Sequence, residues 1–435
     1  MSGNWNLVQG PARQKWILNG DSELKIAMLS IHSCPLGNVG GENTGGMSVY
    51  IRELGRELGR RGHLVDVYTR IHEPIHDQMV ELGENVRLIH FKAGGEETHK
   101  FGLYSHLADF TRDLENFTKE NGLRYDLIHS HYWLSGLVGE RLQELWNIPH
   151  LIGFHTLGAV KNAVGIGEGE PMLRINAERK LVKHCHRIIA STEKGKEDLI
   201  TYYDAARKAI SIIPCGVNLD LFRPIHRETA RCHLGLNGES IIVFVGRIIP
   251  LKGIDNILKA MAHLEGKQKI KLVVIGGDDH SQAEMQRLKN LSRTLRIDEE
   301  VIFVGSVKQE TLPFFYSAAD LCVVPSYYES FGLVVLESLA CGTPVVATKV
   351  GCAESVIRYG ETGYVVADNT PESLADKISR LLSAPNGKPD FVPSVRASVA
   401  KYSWSNISEV IIEEYRRALW DFSAKAHKGA EELRV

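Results

Sequence analysis

The chain lacks the signatures that would name a function at once. Its 435 residues carry 51 Lys and Arg against 53 Asp and Glu, a net charge of −2. So even a balance gives no global basic field to steer it to nucleic acid. No apolar run approaches the roughly 18 residues of a membrane span. The opening stretch MSGNWNLVQGPARQKW has no signal-peptide core. The seven cysteines are odd in number and never spaced C-x-x-C. That argues free thiols in a reducing compartment, so the cytoplasm is the expected location. G-x-G-x-x-G and the Walker G-x-x-x-x-G-K are both absent, which weakens a dehydrogenase or NTPase reading.

What is present is ordinary for a globular protein: 43% hydrophobic and 24% charged residues, and length for two or three domains. Residues 1–23 read as a polar extension. A strand is expected over Leu24–Ser30, then a Gly- and Asn-rich loop, a helix from about Met47 to Gly62, and a strand at Val65–Thr69. The mixed Glu and Arg residues of that helix, with Glu57 and Arg61 at i, i+4, read as a solvated face. Strands at Asp126–Ser130, His150–Phe154 and Arg187–Ala190 alternate with helices at Ser135–Trp146 and Met172–His184, and the first domain is expected to close near Ile210–Pro214. A second series follows with strands at Ile241–Gly246, Lys271–Gly276, Val301–Phe303 and Leu321–Val324, and a helix at Gly253–Leu264. The expected fold is α/β, with two doubly wound Rossmann-like domains facing a cleft, at 24–215 and 216–414. The last helix, about Ser405–Phe422, is amphipathic.

The stretch Pro325–Thr348 carries the sharpest chemistry. Glu329 precedes a buried helix, and Glu337 lies about two turns inside it, stopped by Gly342 and Pro344. A lone Glu there would read as salt-bridged or solvated. The amides around Phe331, Gly332 and Leu333 at the helix start favour an anion such as phosphate. Two carboxylates flanking an anion site suit sugar hydroxyls, and a nucleotide sugar has both parts. Arg247 ends a strand and Lys252 follows five residues later at a helix start, a cation pair suited to a diphosphate. Gly45 and Gly46, in Asn43-Thr44-Gly45-Gly46-Met47, let backbone approach an anion; a plain loop is the other reading. His129-x-His131 places two imidazoles on one strand face. No third ligand stands at a clear spacing, so no metal is expected. His155 ends a strand at the cleft, or is a core histidine.

These motifs resemble the family 4 retaining glycosyltransferases, which have the GT-B fold; the likeness spans roughly residues 25–420. Glu329 to Glu337 matches the family's E-x7-E, and Gly246 to Gly253 its G-R-x-x-x-x-K-G. The resemblance implies that Glu329 and His155 contact the donor sugar, that the Phe331–Leu333 amides hold phosphate, and that Glu337 binds ribose. It further implies that Gly45 and Gly46 cover the diphosphate, and that the last helix, about 415–435, returns to the first domain. D-x-D, the metal-holding signature of the other major glycosyltransferase fold, is absent. No cofactor is implied beyond a nucleoside diphosphate sugar as co-substrate.

Within the family, GGMSVY, LIHSHYWLSG, HTLGAVKN and PSYYESFGL resemble the inositol-phosphate N-acetylglucosaminyltransferases of mycothiol biosynthesis, with sucrose-phosphate-synthase-like enzymes as cousins. That likeness implies UDP as the donor nucleotide. It also implies a small phosphorylated acceptor, inositol 3-phosphate or fructose 6-phosphate, held by Lys100, Tyr132, Thr156 and Arg174. Ser48 stands where the inositol enzymes have Asn, and a serine cannot make the same paired contact. A nucleotide-sugar epimerase and a non-catalytic sugar binder are the rival readings. No nucleic-acid or membrane partner is expected, and a homodimer is left open. With no obvious general base, a donor phosphate oxygen is expected to take the acceptor proton. Arg247, Lys252, Glu329 and His155 are the expected catalytic groups.

Overall fold

The computed structural model describes residues 22–37, 45–71, 77–95, 98–236, 239–264, 269–278, 281–383 and 391–432. Most of the expected N-terminal extension, and Asn43 and Thr44 of the glycine loop, lie outside the described residues.

Alternating apolar strands and amphipathic helices build two layered units. In the first, β1 (Lys25–Leu29), β2 (Leu64–Arg70), β3 (Met79–Gly83), β4 (Val86–Phe91), β5 (Leu127–His131), β6 (His150–Gly153), β7 (Arg187–Ala190) and β8 (Ile210–Ile212) form one sheet. Its order is β3-β4-β2-β1-β5-β6-β7-β8, parallel except for the β3–β4 pair. In the second, β9 (Ser240–Val245), β10 (Ile270–Ile275), β11 (Val301–Gly305), β12 (Leu321–Val324), β13 (Val345–Thr348) and β14 (Gly363–Val366) run in the order β11-β10-β9-β12-β13-β14. Both central strands, β1 and β9, are nearly continuous apolar runs, because helices cover both faces of each sheet.

Strand order reverses at β1/β5 in the first sheet and at β9/β12 in the second. At such switch points the flanking crossovers lie on opposite faces, and the strand ends leave a crevice open to ligand. The segments after β1, β5, β9 and β12 carry Gly45 and Gly46, Tyr132, Arg247, and Glu329 with Glu337. Topology therefore gathers residues that are hundreds of positions apart in sequence.

The helix Gly46–Arg60 differs from its expected solvated character. Glu53 and Glu57 are buried. Glu53 accepts from Asn218 at 2.9 Å, and Arg52 donates to Gln309 of the second unit. Arg61 binds Glu409 at 3.0 Å on the C-terminal helix Trp404–Glu432. A helix-surface pattern cannot tell water from a polar neighbour, and here the neighbours are protein. Among the described residues, no helix is long and apolar enough to cross a membrane.

Candidate active site

The segments expected to bind the donor rest on close backbone packing. Gly253 has φ +65°, and a Cβ there would lie 2.2 Å from the Pro325 carbonyl. Gly276 has φ +133°, and its Cβ would lie 1.8 Å from the Gly246 carbonyl. Only glycine fits either position, so the segments after β9, β10 and β12 close against one another. Lys252 is thereby brought to Glu329: its Nζ donates to Glu329 Oε1, which also accepts from Ser326 Oγ at 2.8 Å. Arg247 is exposed.

Gly332, at φ +90°, is the N-cap of the helix Leu333–Ala340. Glycine offers no side-chain capping oxygen; the Val335 N–H bonds the Gly332 carbonyl at 3.0 Å, and no side chain caps the first turn. Gly46 abuts this point from the other unit, with its built Cβ 3.4 Å from Leu333 Cδ1. A Cβ on Gly45 would meet nothing within 4 Å. The two loops expected to enclose a diphosphate thus face each other across the cleft.

Glu337 is buried and accepts from the Tyr316 hydroxyl at 2.9 Å and from Gln309. Burial raises its pKa to about 7, against the pull of those two donors. Sequence reading placed Glu337 correctly inside the helix but missed Tyr316 and Gln309, because nothing in their local pattern distinguishes them from core and surface residues.

His155 takes φ +57° and lies 2.9 Å, Nε2 to Nδ1, from His131. Burial pushes its pKa down to about 4, so the ring is neutral at pH 7. His129 Nδ1 meets the Tyr415 hydroxyl at 2.7 Å. Among the described residues, no group of three or more His, Cys, Asp or Glu is arranged to hold a metal ion. A cavity of about 290 Å³ opens beside His155, bounded by Tyr50, Thr192, Lys194, Tyr328 and Glu329.

Of the residues expected to hold the acceptor, Tyr132, Thr156 and Arg174 meet. Arg174 Nη2 donates to Thr156 O at 2.8 Å and to Thr156 Oγ1 at 2.9 Å, and its guanidinium stands 4.7 Å from the Tyr132 ring. It is also doubly ion-paired, to Glu178 at 2.7 Å and Glu170 at 2.9 Å. Lys161 binds the same Glu170. Lys100 belongs to this cluster by charge. Burial first, and then Lys161, Arg174 and Arg247, lower its pKa, while Glu170 opposes them. Lys161, Glu170 and Glu178 escaped the sequence reading, since a helix surface and a Gly-rich loop look solvated. Ser48 is fully buried, and its Oγ lies 2.5 Å from Ser33 Oγ.

Two family models match the chain: Glycosyltransferase Family 4 over residues 44–221 and Glycosyl transferases group 1 over 226–396. A D-inositol 3-phosphate glycosyltransferase of Catenulispora acidiphila is 39% identical, covering 93% of this chain and 97% of that protein. The chain is a family 4 glycosyltransferase. A D-inositol 3-phosphate glycosyltransferase of Mycobacterium tuberculosis is 36% identical over 98% of this chain and 89% of its own. Among solved structures, sucrose-phosphate synthase from Thermosynechococcus elongatus is 34% identical, with a TM-score of 0.83 over 91% of this chain and 99% of that one. The catalytic domain of starch synthase IV from Arabidopsis thaliana, at 16% identity and a TM-score of 0.69 over 92% of this chain and 100% of that one, shares the fold. The two-domain architecture of this glycosyltransferase is GT-B.

Proposed function

We propose that this glycosyltransferase moves a hexosyl or N-acetylhexosaminyl group, with retention, from a UDP-sugar to a small phosphorylated polyol such as inositol 3-phosphate. The observation that carries the reading is the meeting of Gly46 and Leu333 across the cleft, with the Lys252–Glu329 pair beside Gly332 and Glu337 on the helix that Leu333 begins. It supports a diphosphate between the units, ribose at Glu337 and the donor sugar between Glu329 and His155. The acceptor would lie on the unit of residues 24–215 and the donor on that of 216–414.

As the bond from the sugar to the diphosphate breaks, negative charge grows on the leaving phosphate. Arg247, Lys252 and the Gly45 and Gly46 amides stabilise that charge. A phosphate oxygen on the same face takes the acceptor hydroxyl proton, so no side-chain base is needed. Lys100, Lys161 and Arg174 outnumber Glu170 and Glu178, three charges against two, and this net positive cluster suits a phosphomonoester on the acceptor.

The relatives' name supports inositol 3-phosphate. The inward turn of Ser48 and the likeness to sucrose-phosphate synthase favour fructose 6-phosphate as the second reading. The test is a matrix of UDP-, ADP- and GDP-sugars against inositol 3-phosphate, fructose 6-phosphate and unphosphorylated sugars. Nucleoside diphosphate release and product mass are followed. Transfer to inositol 3-phosphate is expected. Transfer only to unphosphorylated acceptors overturns the phosphate pocket, and sugar interconversion without acceptor makes the protein an epimerase.

A further inference from the structure

Beneath the cleft runs a row, buried except at the half-buried His155, that the proposed reaction uses only at that end. His155 Nε2 lies 2.9 Å from His131 Nδ1. The His131 and His129 rings stand 4.2 Å apart between centroids. His129 Nδ1 lies 2.7 Å from the hydroxyl of Tyr415, a fully buried residue of the C-terminal helix. The row joins β6, β5 and a helix some 260 residues further along the chain. His129 and His131 are two apart on one strand, so both rings project from the same face. The three rings converge on Gly153 of the next strand: a Cβ there would lie 3.6 to 4.0 Å from a ring nitrogen of each of the three imidazoles.

This is an expensive way to fill a core. Burial keeps all three rings neutral at pH 7. His129 Nε2 and His131 Nε2 are buried with no hydrogen-bond partner among the described residues. Each such nitrogen forfeits its hydration, so apolar side chains of similar size would cost less. His155 adds backbone strain at φ +57°, which persists only where surroundings hold it. The far end is anchored where the two units join. Trp404, at the start of the C-terminal helix, packs edge-on against Tyr50 at 5.3 Å. A Cβ on Gly216, between β8 and β9, would lie 2.5 Å from the same indole. Tyr50 in turn packs on His155 at 5.2 Å and on His131 at 5.5 Å.

We propose that His131 and Tyr415 are positioning residues, through which the C-terminal helix fixes the His155 ring against the donor sugar. The proposal rests on the reading that His155 faces that sugar. A ring released from His131 would no longer present its other edge to the reacting carbon, and small misplacements of this kind cost about 10²-fold in rate.

The test uses the full chain with its best donor and acceptor. His131→Leu is expected to lower kcat about 10- to 100-fold with little change in donor KM. His131→Asn, which keeps a polar group near the Nδ1 position, is expected to recover most of that loss. Tyr415→Phe is expected to lower kcat severalfold alone, and to add nothing in the His131→Leu background, since coupled residues are not additive. Multiplying losses, or a fall in Tm with kcat intact, overturn the proposal in favour of simple packing. The ring nitrogen chemical shifts of His155, read by NMR without turnover, separate the two layers. They are expected to move in Tyr415→Phe, and unmoved shifts overturn the coupling. Undiminished turnover of His155→Ala, with moved shifts, would overturn the placement of the donor sugar instead.

Discussion

Lys252 and Glu329 hold each other. A lysine paired this way loses little freedom when a diphosphate arrives, which is how preorganised cations lower a barrier. Lys252→Ala should therefore reduce kcat about 10²- to 10³-fold in the donor–acceptor assay, with Tm nearly unchanged. Undiminished turnover would remove Lys252 from the chemistry. Glu337 makes a prediction in pH. Its pKa rises from 4.5 to about 7, so the folded protein favours the protonated carboxyl. The stability this confers is present in full below pH 4.5 and is lost as pH climbs through about 7. Thermal melts across that window should show the decline, and Glu337→Gln should flatten it. Ribose hydroxyls donate best to the ionised form, so donor affinity in the wild type should strengthen over the same window.

Among the loops and strands, the decisive residues are glycines. Gly276 and Gly153 both sit near the cleft, yet they answer to different constraints. A Cβ on Gly276 would collide with the Gly246 carbonyl at 1.8 Å, whereas one on Gly153 would make ordinary contacts of 3.6 Å or more. Gly276→Ala should destabilise the fold by more than about 2 kcal/mol, a severe loss by the standard of single substitutions. Gly153→Ala should fold normally. Chemical denaturation of both variants checks the contrast. Strands β1, β2, β5 to β7 and β9 to β12 were legible because apolar runs report burial directly, whereas β14 and the helix Leu107–Glu120 were not singled out. The helix Met172–His184 and the strand Arg187–Ala190 stand where their sequence pattern puts them. The β3–β4 pair was not legible, because its half-exposed, charged β3 has no apolar alternation.

At the scale of the whole molecule, contacts between the units reach the candidate site. Arg52 on the first unit donates to Gln309 on the second, and Gln309 binds Glu337. The cleft is therefore braced through the carboxylate proposed to hold ribose. Arg52→Ala should raise donor KM severalfold while leaving acceptor KM nearly constant. Small-angle scattering of the unliganded variant should show a larger radius of gyration, because closure would have lost one of its cross-links. Equal changes in both KM values would argue against a brace directed at the donor.

The amino-acid sequence by itself determined the α/β class, the two sheet series and the donor-side motif residues. Each is written in local periodicity or in short spacings, and such signals survive without knowing what packs where. Only the tertiary structure decided what those residues touch. It turned Ser48 inward onto Ser33, paired Arg174 with Glu170 and Glu178, and joined His155 through two imidazoles to Tyr415. These partners come from strands and helices whose adjacency is set by strand order and helix packing. A sequence pattern records that a side chain is polar or apolar; the fold alone chooses the neighbour that satisfies it.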